Sequence, residues 1–391
     1  MHPVKIQIYG NFWDTQIYRG QLYLFTQSGS IRTINWDSLV NSFDLPLKLR
    51  LAIECAFRRS DYLYGSYWDL FFSDPEIKTA LVRKFEQLAD TPLTIDNHSL
   101  IKHEIKQQDN PFPFPHADAI TYGLNMYVVG QSGVWRGSCN RRTKYPLSTK
   151  AERKWDCPVR DISASYGSLS LSTGPEGLWE TPVGTAFYHT DSNPKQITSL
   201  ECDASEWMYY SIYGSAYESG GFLAEFGKPA AFTSPGEPAA RVLSRVVSNE
   251  TIFKNEGYSW GTRDKIYQAR NNEIQIARYQ PYGKDDEPLK YIASVPIQPW
   301  KGNLVSGGVA AFGTILEYDN ALLVIPSEGE IVTIPGEPIN WRIFPRSSYY
   351  QNHLHIVYDD RIEIVSFNHD YFVHQSEKLF GSIPVQVRIR T

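Results

Sequence analysis

The 391-residue chain reads as an all-β protein built from one repeated antiparallel meander and interrupted once by helices. Two observations predict this class. Aromatic residues make up 14%, with 25 Tyr and 10 Trp beside only 3 Met, and aromatic side chains suit pleated, half-buried surfaces. The second observation is a recurrence. The stretch "DTQIYRGQLYLFTQSGSIRTINW", Asp14 to Trp36, holds Gly20, Tyr23 and Gly29, and "DAITYGLNMYVVGQSGVWRG" from Asp118 holds Gly123, Tyr127 and Gly133. Asp to last Gly spans 15 positions in both, and "DISASYGSLSLSTGPEGLWE", from Asp161 through Gly167 to Gly177, is one residue longer.

Each copy has the same grammar. A short strand ends in a turn rich in Gly, Asn or Asp, where positive φ is needed. An alternating strand such as Leu22, Leu24 follows, then a second turn and a third strand. More degenerate copies begin at Glu206, Asp264, Thr314 and Ser347, giving seven units. With residues 37–112 set aside as an insertion, roughly 315 residues over seven units gives about 45 each, the length of a four-stranded propeller blade. Six units would give about 53, nearer the kelch period, so a six-bladed ring is the alternative. On these repeats the chain resembles a β-propeller and, in repeat length, the WD-repeat group. It lacks that group's signature dipeptides in register, since "NWD" at Asn35–Asp37 and "KWD" at Lys154–Asp156 are isolated.

The organisation that follows has three parts: residues 1–36 as first blade and ring-closing strand, 37–112 as helical insertion after the first blade, and 113–391 as the remaining blades. Closure of a propeller needs a strand from one terminus to complete a blade begun at the other, or an edge stays unpaired. "VKIQIYG" alternates Val4, Ile6, Ile8 and "VQVRIRT" alternates Val385, Val387, Ile389, so both ends are expected to close the ring. Within the insertion, Ser73, Pro75 and Glu76 form a capping-box pattern. Ile77, Ala80, Leu81, Phe85, Leu88 and Ala89 then follow at helical spacing. A second helix is expected over Asp44–Arg59, a third in "NHSLIKHEIKQQ", and "NPFPFP", Asn110–Pro115, returns the chain to the ring.

Charge and cysteine content narrow the function classes. Thirty-eight basic residues against 43 acidic ones, a net −5, give no overall basic address of the kind nucleic-acid-binding domains carry. No uninterrupted apolar run of about 18 residues is present, which argues against a membrane span, and the N-terminus has no apolar h-region of a signal peptide. Cys55, Cys139, Cys157 and Cys202 form no C-x-x-C pair and read as reduced thiols of a cytoplasmic protein, with a Cys139–Cys157 disulfide the lesser alternative.

Candidate sites are few. Tyr62, Tyr64, Tyr67 and Trp68 crowd the join between the two main helices, and Tyr and Trp enrich partner-binding surfaces. This makes the helical lobe the expected docking site. Arg136, Arg141, Arg142, Lys144, Lys150, Arg153 and Lys154, opposed only by Glu152, form the densest charge cluster, a candidate anion or nucleic-acid contact that is weighed against a solvated loop. His353 and His355 share a strand face as a metal pair would, but no third ligand is in view, so they are weak metal candidates and no metal is expected. Nucleophile, phosphate-loop and zinc motifs are absent, and no cofactor is expected. Asp14, Asp118, Asp161 and Asp264 begin units, and a group recurring at one place in several blades is more often a turn or strand-end hydrogen-bonder than a catalyst. The expectation is a non-enzymatic scaffold or recognition module with a protein partner, in a prokaryotic defence or regulatory assembly by analogy. An enzyme with a site at the central channel, a hydrolase or lyase, and nucleic-acid binding through 136–154 are the alternatives.

Overall fold

The structure is a computed structural model of the chain and describes residues 3–65, 68–72, 74–139, 146–183, 193–209, 211–217, 220–227, 242–248, 250–253, 257–270, 272–280, 289–297, 301–327, 329–368 and 378–383. The described strands fall into seven antiparallel meanders, six of four strands and one extended to five. The fold is a seven-bladed β-propeller with a helical insertion, and the six-bladed alternative is set aside. No described helix is long and apolar enough to cross a membrane. The chain divides into two compact units, 110–301 and the remainder.

Residues 110–301 hold blades two to five, spanning 118–155, 161–198, 204–248 and 258–296. Here the repeat is visible as hydrogen bonds between successive blades. Asp118 Oδ2 accepts from the backbone N–H of Ile162 at 3.1 Å, and Asp161 Oδ2 accepts from that of Ser205 at 2.8 Å, each 44 residues on. The Tyr122 hydroxyl accepts from the Gly167 N–H, 45 residues on, at 2.7 Å. A carboxylate that accepts from a buried strand-end N–H satisfies a group that would otherwise be costly to bury.

The other unit holds blades one, six and seven and the helices. Blade one is Phe12–Tyr18, Gln21–Thr26, Ser30–Asn35 and, beyond the helices, Glu104–Asp109. The stretch 37–112 therefore carries the blade's outer strand as well as the insertion. Blade seven is Asn340–Ile343, His353–Val357 and Arg361–Ser366, completed by Val4–Tyr9, in which Val4 lies opposite Ser366 and Tyr9 opposite Arg361. So the N-terminal strand joins the last blade as expected, while 384–391 lies outside the described residues. Leu93–Ile95, from the insertion, adds a parallel fifth strand beside Val4–Tyr9 and covers what would be an open edge.

Three later units start one strand before the expected positions. Their inner strands are Tyr258–Thr262, Leu304–Ala310 and Asn340–Ile343, which leaves Asp264 in a turn and Thr314 in a second strand. These inner strands lack the leading Asp. In Leu304–Ala310 Gly308 is a packing residue: a Cβ on it would lie 2.8 Å from the Trp341 ring of blade seven.

The insertion comprises α1 Trp36–Asn41, α2 Arg50–Phe57, α3 Asp61–Tyr64, α4 Asp69–Phe72, α5 Pro75–Ala89 and α6 Asn97–Ile101. The α5 cap is Asp74, whose Oδ1 accepts from the N–H groups of Glu76 and Ile77. Pro75 at the first helical position fixes the cap one residue later than the expected Ser73, which lies outside the described residues. Of the α5 apolar stripe, Leu81, Phe85 and Leu88 are buried, and they join a core that runs through Trp36, Phe57, Ile6, Ile8 and Ile364. Ala80, on the same expected stripe, is exposed.

Candidate functional site

The helical lobe is seated on blade seven through the C-terminus of α2. The last carbonyls of any helix have no partner within it and need one from outside when buried. Blade seven supplies them. The Ala56 carbonyl accepts from Asn352 Nδ2 at 3.0 Å, His353 Nε2 at 3.0 Å and Ser366 Oγ at 2.6 Å. Asn352 Nδ2 also lies 3.3 Å from the Cys55 carbonyl. The indole N–H of Trp36, the first residue of α1, donates to the Phe57 carbonyl at 2.6 Å. All of these groups are buried, so every bond is made away from competing water, where an unmade one would cost most.

His353 and His355, the weak metal candidates, belong to this seat. Their rings are fully buried and lie 5.6 Å apart. With His353 Nε2–H donating to Ala56, its Nδ1 is the acceptor that faces His355 Nε2 at 3.4 Å. His355 Nε2–H then donates there, and its Nδ1 faces the Thr15 hydroxyl at 3.4 Å. One tautomer of each ring thus uses all four nitrogens in contacts to the protein. Burial is the first cause that pushes the pKa of His353 down to about 3, with the Ala56 carbonyl acting the other way. Burial likewise holds His355 well below its usual value, helped by His353 and Arg342 and opposed by Asp14. Both rings are neutral at physiological pH, and no group of three metal-ligating side chains occurs among the described residues.

The four aromatic candidates separate by exposure. Tyr64 is buried, Tyr62 and Trp68 are half-buried, and Tyr67 lies outside the described residues. Tyr62 meets Trp68 edge-on at 5.3 Å, and the Arg59 guanidinium lies 4.0 Å from the Tyr62 ring centroid while pairing with Asp61. Next to them in sequence are residues that the aromatic count passed over. Leu70 is 91% and Phe71 52% exposed on α4, and Leu47, before α2, is 88% exposed. Leu51 and Ile101 of the same insertion are also exposed. Leu70 and Leu47 are the two most exposed large apolar side chains among the described residues. The signal was present in "WDLFF", where three apolar residues follow a helix start with no polar residue between them.

The basic cluster is less concentrated than its sequence. Arg136, across the outer hairpin of blade two, and Lys154, on the same strand, both bond the Glu152 carboxylate, at 2.6 and 2.8 Å. Arg153 Nε donates to the Ser132 carbonyl. Lys150 is exposed, and Arg141, Arg142 and Lys144 lie outside the described residues. Of the unit-starting carboxylates, Asp14 is buried against Arg342, with Nε and Nη2 at 2.5 and 2.6 Å. Asp264 accepts from the buried Lys265 Nζ at 3.0 Å. With Asp118 and Asp161 bonded between blades, all four carry structural contacts. The four cysteines are free thiols, and Cys139 and Cys157 form no disulfide.

No protein-family model and no curated protein matches this sequence. Among solved structures the chain is similar to the WD40 domain of Neurospora crassa Pan2, at 9% identity and a TM-score of 0.48 over 93% of this chain and 92% of that one. It is also similar to the β-propeller domain of Myceliophteria thermophila Cps50 (Swd1), at 11% identity and 0.39 over 66% and 98%. The computationally designed protein Ika8 gives 7% identity and 0.45 over 94% and 100%.

Proposed function

We propose that the chain is a non-enzymatic recognition module whose propeller holds the helical lobe in place for a protein partner that presents an apolar face. The observation that carries this reading is the exposure of Leu47, Leu70 and Phe71 on one small lobe. Exposed large apolar side chains that adjoin mark interaction sites more often than isolated ones do, and Leu70 and Phe71 are neighbours on α4. The half-buried Tyr62, Trp68 and Arg59 beside α4 have the composition of binding hot spots. A rigid seat also suits binding, because side chains already ordered lose less entropy when a partner docks.

The test is a double substitution, Leu70→Asp with Phe71→Asp, which adds charge only where side chains already face water. The partner captured by the wild-type protein from its native host is expected to be lost, with the circular dichroism spectrum and melting temperature kept. Removal of residues 60–70 is expected to give the same loss. A captured set that is identical for wild type and both variants overturns the reading.

A further inference from the structure

The seat of α2 is made of buried groups that fit together while both imidazoles are neutral. His353 and His355 contact each other and, at the two ends, the Ala56 carbonyl and the Thr15 hydroxyl. Around His353 stand the rings of Trp36 at 6.3 Å, Phe57 at 5.8 Å and Tyr350 at 5.4 Å. On α2 the residue before Ala56 is Cys55, whose thiol burial keeps protonated. Around His355 stand the Phe344 ring at 4.7 Å and the charged pair Arg342 and Asp14, already bonded to each other. No carboxylate hydrogen-bonds either imidazole among the described residues.

A proton taken up by His353 therefore leaves a cation among three aromatic rings, a buried charge without a counter-ion. That proton sits on Nδ1, so His355 has to move its own hydrogen from Nε2 to Nδ1 to accept it, and a second proton, on His355 Nε2, then brings two N–H groups face to face across 3.4 Å and sets a cation beside Arg342. Water relieves both penalties, and His353, covered by Ala56 and Phe57 of α2, meets it when α2 lifts from blade seven, which opens the way to His355 beside it. We propose that the Thr15–His355–His353–Ala56 chain is an acid-sensitive latch: protonation of the two imidazoles unseats the C-terminus of α2 and loosens the helical lobe while the blades persist.

The sign follows from linkage. The seated state binds the imidazole protons only at strongly acid pH, whereas the lifted state binds them near pH 6.5. The seat is at full strength above about pH 6.5 and weakens as pH falls below it, by up to tenfold per pH unit for each ring. The latch stands on this geometry whatever the lobe binds.

The test is hydrogen exchange of the full chain between pH 7.5 and 5.0, corrected for the intrinsic pH dependence of exchange. Peptides covering 50–57 are expected to lose protection at least tenfold from pH 6.5 to 5.5, while peptides covering 125–138 of blade two keep theirs. In His353→Gln with His355→Gln, where an amide N–H still reaches Ala56, that pH dependence is expected to vanish. Unchanged protection of 50–57 overturns the proposal, and so does its loss in step with 125–138, which is general acid unfolding. Should the double variant fail to fold, imidazole titration by NMR in the wild type decides: either ring titrating above about pH 5.5 in the seated state overturns the proposal.

Discussion

Asp14 opens the first repeat unit and could be read from sequence as a site carboxylate; its surroundings make it a structural one, and removing it is the direct test. The side chain is fully buried, takes Nε and Nη2 of Arg342 at 2.5 and 2.6 Å, and accepts from Asn340 Nδ2 at 3.1 Å. It ties the inner strand of blade one to that of blade seven. Asp14→Ala leaves the Arg342 guanidinium, 12% exposed, without its counter-charge, a loss of about 3–5 kcal/mol for a buried pair. Taking about 2.1 cal/mol/K of unfolding entropy per residue over 391 residues, the melting temperature falls by about 4–6 °C if the chain melts as one. Glu152→Gln supplies the contrast. It removes a carboxylate that also pairs with Arg136, but its side chain is 55% exposed, so the loss is below about 1 kcal/mol. Asp14→Leu combined with Arg342→Met is expected to recover at least half of the single variant's loss, because no buried charge remains. Differential scanning calorimetry reads all three. A drop of less than about 1 °C for Asp14→Ala, or a double variant worse than the single, refutes the structural reading.

Other expectations are narrower. Gly29, Gly133 and Gly177 close the first three units with φ of +79°, +95° and +87°, yet their substitution by Ala should differ. A Cβ at Gly29 meets nothing, whereas at Gly133 and Gly177 it would lie 2.0 and 2.1 Å from the carbonyl oxygens of Trp155 and Thr198. Gly29→Ala should cost about 1–2 kcal/mol and the other two more, measured by urea unfolding; equal costs would refute the packing role. Asn352→Ala removes the donor shared by the Cys55 and Ala56 carbonyls and should destabilise by about 1–3 kcal/mol, with hydrogen exchange rising first in α2. Cys157 is the half-buried thiol among four, so a thiol reagent should label it well before Cys55, Cys139 and Cys202. Its pKa is raised by burial, Glu176 and Asp156, so the labelling rate should still be climbing at pH 9; a plateau by pH 8 would contradict that environment.

Much of the fold was legible because a repeat is a local signal. Turn residues, alternation and unit length are properties of 20 to 45 consecutive residues, and Asp118 and Asp161, read from sequence as strand-end hydrogen-bonders, accept from backbone groups 44 residues on. Legibility failed where the local signal was displaced by packing. In Leu304–Ala310 the reason for a glycine at 308 is the Trp341 ring of another blade, which no local window contains. The aromatic cluster of the insertion was found, but aromatic content does not report exposure, and Leu70 and Phe71 were passed over.

The sequence by itself determined the all-β class, the repeat of about 45 residues, the place of the helices and the strand that Val4–Tyr9 contributes, since each follows from periodicity and turn chemistry within one segment. Only the tertiary structure decided what the helices sit on. His353 and His355, spaced like a metal pair, became the seat of a helix end because Ala56, 297 residues earlier, brings its carbonyl to His353 Nε2. A contact of that separation is set by how blade seven closes on the N-terminal strand and the insertion, and no window of local sequence contains it.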